Sequence, residues 1–170
     1  MAAKAITVYT PPAAAPHINA EDDAQIYRAI FNGASGITAA DNMLACTKVD
    51  DGNVVLASGV FCNQGYMLAV EGGTSQNIAV PSNAAGTYRI DYMVAEFTRG
   101  GGSVPDTHVF KLLAGTPAAS LPAAVPPTLI RDNLGAGGAK RQEILYEITM
   151  NGATLSDIYR VAPYVGNFYA

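Results

Sequence analysis

A chain of 170 residues and 17.6 kDa, 49% of it hydrophobic, is long enough for one good core and short for two full-sized domains. Only 14% of the residues are charged, against roughly 25% in ordinary soluble domains, so part of the surface is expected to be covered by partners. A net charge of −4 with ten Lys and Arg scattered singly leaves no basic stripe for phosphates, which excludes nucleic-acid binding as a main role.

Residues 1–18 read as an extended arm. Ile6, Val8 and Tyr9 form a short strand-like run, and Pro11, Pro12 and Pro16 behind it favour a stiff polyproline path. Such an arm could reach a neighbouring subunit or be a frayed terminus. Met1-Ala2-Ala3-Lys4 lacks the apolar region of a signal peptide. No apolar run approaches the roughly 20 residues of a membrane helix, so membrane insertion is not expected.

Residues 19–35 hold a helix, expected from about Ala20 to Phe31, with Asn19 as its N-cap and a stop at Asn32-Gly33. Glu21, Asp22 and Asp23 suit the positive end of its dipole. Ile26 with Ile30 and Tyr27 with Phe31 are i, i+4 pairs, a wide apolar stripe for so short a helix. It must pack on something large, either the chain's own sheet or the same helix of symmetry mates.

Residues 36–170 read as a β domain with an aromatic C-terminal tail. Gly36-Ile37 opens a linker, and Met43 to Val49 reads as the first strand. Asp50-Asp51-Gly52-Asn53 is a hairpin turn, and from Val54 to Phe97 the pattern gives four short strands. These strands turn at Asn63-Gln64-Gly65, at Glu71-Gly72-Gly73 and in the Pro81 to Gly86 loop. Arg89 to Phe97 alternates with period two, one face wet and one buried. Val109 to Leu113 is the next strand, the Pro and Ala segment from Ala114 to Pro127 crosses a surface, and Thr128 to Leu134 forms a short strand or helical turn. Glu143 to Met150 is a strand closed by Asn151-Gly152. Tyr164, Phe168 and Tyr169 make the tail apolar where polarity is usual, a mark of contact with another chain.

Catalytic chemistry finds little to work with. His17 and His108 are the only histidines and lie far apart, with no His-x-x-x-His or Cys-x-x-Cys spacing for a transition metal. The Asp50-Asp51 turn lacks the twelfth-position Glu of a calcium loop. No Gly-x-Ser-x-Gly surrounds any serine, and Gly100 to Gly102 lies between two strands without the Lys-Ser/Thr ending of a phosphate loop. Asp91 and Glu96 have opposite parity on one strand and cannot act as a carboxylate pair. Asp91 is better read as binding a turn backbone or an Arg. Cys46 and Cys62 are either a disulfide between neighbouring strands or two buried thiols. No enzyme, metal or cofactor is expected.

The helix Ala20-Glu21-Asp22-Asp23-Ala24-Gln25-Ile26-Tyr27-Arg28-Ala29-Ile30-Phe31-Asn32-Gly33 is followed by Ser58-Gly59-Val60 and Gln64-Gly65-Tyr66. Tyr88-Arg89-Ile90-Asp91, Leu113-Ala114-Gly115-Thr116-Pro117 and Tyr146-Glu147-Ile148 complete the series. This order of short motifs, over roughly residues 19 to 150, resembles tailed-bacteriophage baseplate and tail-tip structural proteins that carry or anchor receptor-binding proteins. The resemblance implies a β-sandwich attachment domain that continues into a longer trimeric fibre, whereas this sequence stops at Ala170. That difference favours an adaptor, a short fibre or a decoration protein over direct host binding.

The expectation is therefore a mainly β protein, a sandwich or Greek-key-like domain of about eight strands with one N-terminal helix and a proline-rich arm. Its expected role is a virion structural protein, homotrimeric, assembling with other virion proteins through Ile6, Val8, Tyr9, Ile26, Tyr27, Ile30, Phe31, Tyr164, Phe168 and Tyr169. The alternatives are a carbohydrate-binding module that grips host-surface glycans with exposed tyrosines, and a capsid decoration or head-fibre protein.

Overall fold

The computed structural model describes residues 20–101 and 103–166. Helix α1 (Ala20–Ile30) is followed by nine strands: β1 (Gly36–Thr38), β2 (Cys46–Asp50), β3 (Asn53–Asn63), β4 (Tyr66–Ala79), β5 (Tyr88–Thr98), β6 (Thr107–Leu113), β7 (Lys140–Asn151), β8 (Thr154–Arg160) and β9 (Tyr164–Val165). They form two sheets. In the first, long β3 pairs with β4 along one side and with β2 and then β1 along the other, and β1 pairs in parallel with β9. The second runs β6-β5-β7-β8, all antiparallel. The inner faces enclose one core that includes Ile37, Leu56 and Phe61 from the first sheet, Leu44 from the loop before β2, and Met93, Leu145, Ile148 and Met150 from the second sheet. The mainly β sandwich-like class with a single helix is as expected.

The strands are longer and fewer between Val54 and Phe97 than their punctuation suggests. Glu71-Gly72-Gly73 does not reverse the chain: Ala57 faces Ser75 and Gly59 faces Val70, so both halves of β4 pair with the same unbroken β3. The extra residues bulge out, with Gly73 at φ 76 and the Thr74 hydroxyl donating to the Glu71 carbonyl. The strand expected from Met43 begins only at Cys46. Asp41, Met43 and Leu44 are held at φ near +50, which no strand tolerates, and this twist drops Leu44 into the core. Gly36-Ile37 is strand, not linker. A Cβ on Gly36 would lie 2.5 Å from the Pro163 carbonyl oxygen, so the close pairing of β1 with β9 needs glycine there.

Strand β5 keeps its alternation throughout, because the register shift against β7 is absorbed at Leu145, where Met93 faces Tyr146 and Val94 faces Ile144. Arg89, Asp91, Met93, Ala95 and Phe97 therefore share the inner face and Glu96 the outer one. The segment after β6 first runs on beside β5, where Tyr88 and Ala118 exchange backbone hydrogen bonds, then doubles back so that Thr116 pairs with Val125. It next pairs at Arg131 with Arg141 on the far side of β7, so residues 126–129 cross the outer face of the sheet. Val94, on the outer face, is fully buried.

Asp91 is structural, as its setting in the sequence suggested. Arg89 Nε and Nη2 donate to its two oxygens at 2.7 Å each, and the Gly115 N–H donates to Oδ1 at 3.0 Å. Arg89 Nη2 also donates to the Pro81 carbonyl at 2.6 Å. At the opposite edge, Asp51 accepts from Lys48 Nζ and from the Leu155 N–H, which ties the β2–β3 turn to β8. The Lys48 hydrogen bond, then the Leu155 N–H, hold its carboxyl below the usual range. Cys46 and Cys62 are free thiols. Burial pushes Cys46 up to about 12 and also raises Cys62, so neither is a ready nucleophile.

Candidate functional site

The β3–β4 turn positions α1. Gln64 and Gly65 are its two central residues, both left-handed at φ 49 and 98, the geometry that suits a tight two-residue hairpin. The turn meets the helix backbone directly: a Cβ on Gly65 would lie 2.1 Å from the Ala24 carbonyl oxygen. Arg28 Nε donates to the Gln64 carbonyl at 3.1 Å, and Gln64 Oε1 accepts from the Leu134 N–H at 2.9 Å. Gly65→Ala is therefore expected to destabilise by about 2–4 kcal/mol, from a left-handed backbone and a clash with another backbone. Hydrogen exchange should show the loss first in the α1 amides. Unchanged protection there would refute the proposed seat.

This seat uses the small side of the helix. Ala24 is buried and Arg28 half-buried, whereas Ile26 is 38%, Tyr27 40% and Ile30 46% exposed. The apolar stripe is thus left partly exposed, with Tyr27 reaching the pocket wall beside Tyr66 and Phe97. Phe31, just past the helix, is half-buried. Tyr164 lies in β9, partly exposed, with Arg160 stacked 4.0 Å from its ring centroid and donating from Nη1 to its hydroxyl. Ile6, Val8, Tyr9, Phe168 and Tyr169 lie outside the described residues, as do the expected cap Asn19 and His17.

Under α1 a second, smaller cluster joins Ala24, Tyr66, Phe97 and Leu134. The Tyr66 and Phe97 rings lie 4.2 Å apart, and His108 meets the edge of Phe97 at 5.7 Å. Arg99 ties the cluster together, donating from Nη1 to Glu21 at 2.7 Å and from Nη2 to the Tyr66 hydroxyl at 2.8 Å. Beside the cluster opens a pocket of about 250 Å³, whose walls include Tyr27, Tyr66, Met67 and Phe97 and whose lining includes the carboxylates Asp23 and Asp106. His108 stands in its wall with both ring nitrogens buried and without a hydrogen-bond partner. Burial lowers its pKa to about 4, with the Met67 backbone opposing the shift from outside hydrogen-bonding geometry.

The pocket was not legible in the sequence, since Tyr27, Tyr66, Phe97 and His108 come from four separate elements. Its walls are mostly apolar, and Asp23 and Asp106 add two carboxylates to the lining. Among the described residues, no three His, Cys, Asp or Glu side chains are grouped to hold a metal ion. Glu96 is bound up in the fold. Burial would raise its pKa, but hydrogen bonds from Lys111, Gln142 and Lys140 outweigh that and lower it. No helix among the described residues is long and apolar enough to cross a membrane. Comparison with known proteins finds no matching family model, curated protein or solved structure.

Proposed function

We propose that this chain is a structural protein of a tailed-bacteriophage virion, a tail or baseplate adaptor or short fibre component that assembles as a homotrimer. The observation that carries assembly is the orientation of α1, which gives its small side to its own domain and its Ile26, Tyr27 and Ile30 stripe to solvent. A helix so disposed gains by meeting its own kind about a symmetry axis, where one stripe covers another. The low charge of the chain and the order of motifs quoted above support the virion setting.

The test is solution mass by light scattering across a tenfold dilution. The wild type is expected to hold a trimer's mass throughout. Ile30→Glu should weaken association at least about tenfold, since each buried isoleucine is worth roughly 1.5–3 kcal/mol and 1.4 kcal/mol is tenfold. A wild type that stays monomeric at every concentration overturns the reading. The glycan-binding alternative draws no support from the exposed tyrosines: Tyr27, Tyr159 and Tyr164 stand on three different elements, and Arg160 is stacked on the ring of Tyr164.

A further inference from the structure

Resting on that assembly reading, we infer that the pocket beneath α1 receives residues Lys4–Tyr9 of a second copy of this chain, with the apolar side chains of that run inside and Lys4 against the acidic mouth. Three observations point to this occupant. First, the pocket is apolar and open, walled by Tyr27, Tyr66, Met67 and Phe97, and Tyr27 belongs also to the exposed stripe, so pocket and stripe form one continuous surface.

Second, the charges match. Asp23 and Asp106 line the pocket, and Asp23 has no ion-pair partner among the described residues. Lys4 is the one Lys, Arg, Asp or Glu in residues 1–19.

Third, the spacing selects a neighbour. Ala20, at the start of α1, lines the pocket, so the preceding chain joins the domain at its rim. Between Tyr9 and Ala20 stand Pro11, Pro12 and Pro16. Ten residues at about 3.1 Å each span roughly 30 Å along a polyproline path that resists doubling back. Such a path would carry the apolar run away from its own pocket and toward that of another copy.

The experiment is sedimentation equilibrium on the full chain and five variants at surface or arm positions, each checked for an unchanged circular dichroism spectrum. Tyr9→Ala should weaken association by about tenfold or more, from the lost ring burial. Ala20→Trp, which fills the mouth, should act in the same direction. Lys4→Glu and Asp23→Lys should each weaken it about threefold at low salt, and the double variant Lys4→Glu/Asp23→Lys should return to within about twofold of wild type. That rescue is an outcome a merely structural role would not produce.

An oligomer whose association none of these variants changes overturns arm exchange and leaves assembly through α1 standing. A monomeric wild type overturns both. A change on Tyr9→Ala or Ala20→Trp without charge-swap rescue overturns the placement of Lys4 at Asp23.

Discussion

Asp91→Asn is expected to cost about 3–5 kcal/mol, because it leaves the Arg89 guanidinium buried without its counter-charge. For a chain of this length that is a fall of roughly 10 °C in melting temperature, at about 2–4 °C per kcal/mol. The reason lies in how many elements converge on one carboxylate. Asp91 takes both prongs of Arg89 and the Gly115 N–H, while Arg89 reaches on to the Pro81 and Ser82 carbonyls. The pair thus fastens the loop before β5 and the crossover after β6 to the inner face of the sheet. Arg89→Met combined with Asp91→Asn should cost clearly less than the two single changes added, since the second change removes the stranded charge that the first creates. Thermal or urea unfolding of the four proteins checks this. Additive costs would mean that the pair is not coupled in the fold.

The second large effect concerns acid. His108 titrates near 4 in the folded chain and near 6.5 when unfolded, so between those values the unfolded state binds a proton that the folded state refuses. Stability contributed by the neutral ring is complete above about pH 6.5, falls as the pH drops, and levels off below about 4. The total is on the order of 3 kcal/mol, from a shift of about 2.5 units at 1.36 kcal/mol each. Asp51 and Glu96 are shifted the other way and lose their contribution only below the ordinary carboxylate range. Among the described residues, the slope of stability between pH 6.5 and 5 therefore belongs chiefly to His108. His108→Phe, which keeps a ring against Phe97 and carries no titratable group, should flatten that slope in urea titrations. An equally steep slope in the variant would place the acid sensitivity elsewhere.

Much of the architecture could be read in advance because it depends on local signals. The alternation from Arg89 to Phe97 marked β5 as a strand but misjudged its faces. The side carrying Arg89 and Asp91 is buried, and Val94 and Glu96 on the other side are buried too, so neither face is wet. The expectation that Asp91 would bind an Arg or a turn backbone followed from its place beside Arg89. The misreadings came from signals whose meaning depends on a distant strand. Glu71-Gly72-Gly73 has the composition of a turn, yet it becomes a bulge because β3 is long enough to pair on both sides of it. Gly36-Ile37 has too few residues to declare a strand, and becomes one only where β3 and β9 flank it. Leu44 needed a left-handed backbone that no propensity would assign to leucine. For the site, the stripe on α1 was visible as periodicity, but its direction was not. Which side of a helix faces the domain was decided by Gly65, far along the chain, whose missing side chain admits the helix backbone only on the Ala24 side.

The parallel pairing of β1 with β9 also dictates an order of events during synthesis. Ile37 faces Tyr164 and Thr38 faces Val165, so one edge of the first sheet is built from opposite ends of the described chain. On the ribosome, the hairpins β2–β3–β4 can form as soon as they emerge, but β1 must wait with its outer edge unpaired until Val165 has been made and has cleared the exit tunnel. Such a strand offers open hydrogen bonds to any neighbouring nascent chain. The shortness of β1, three residues long, keeps that offer small while it lasts.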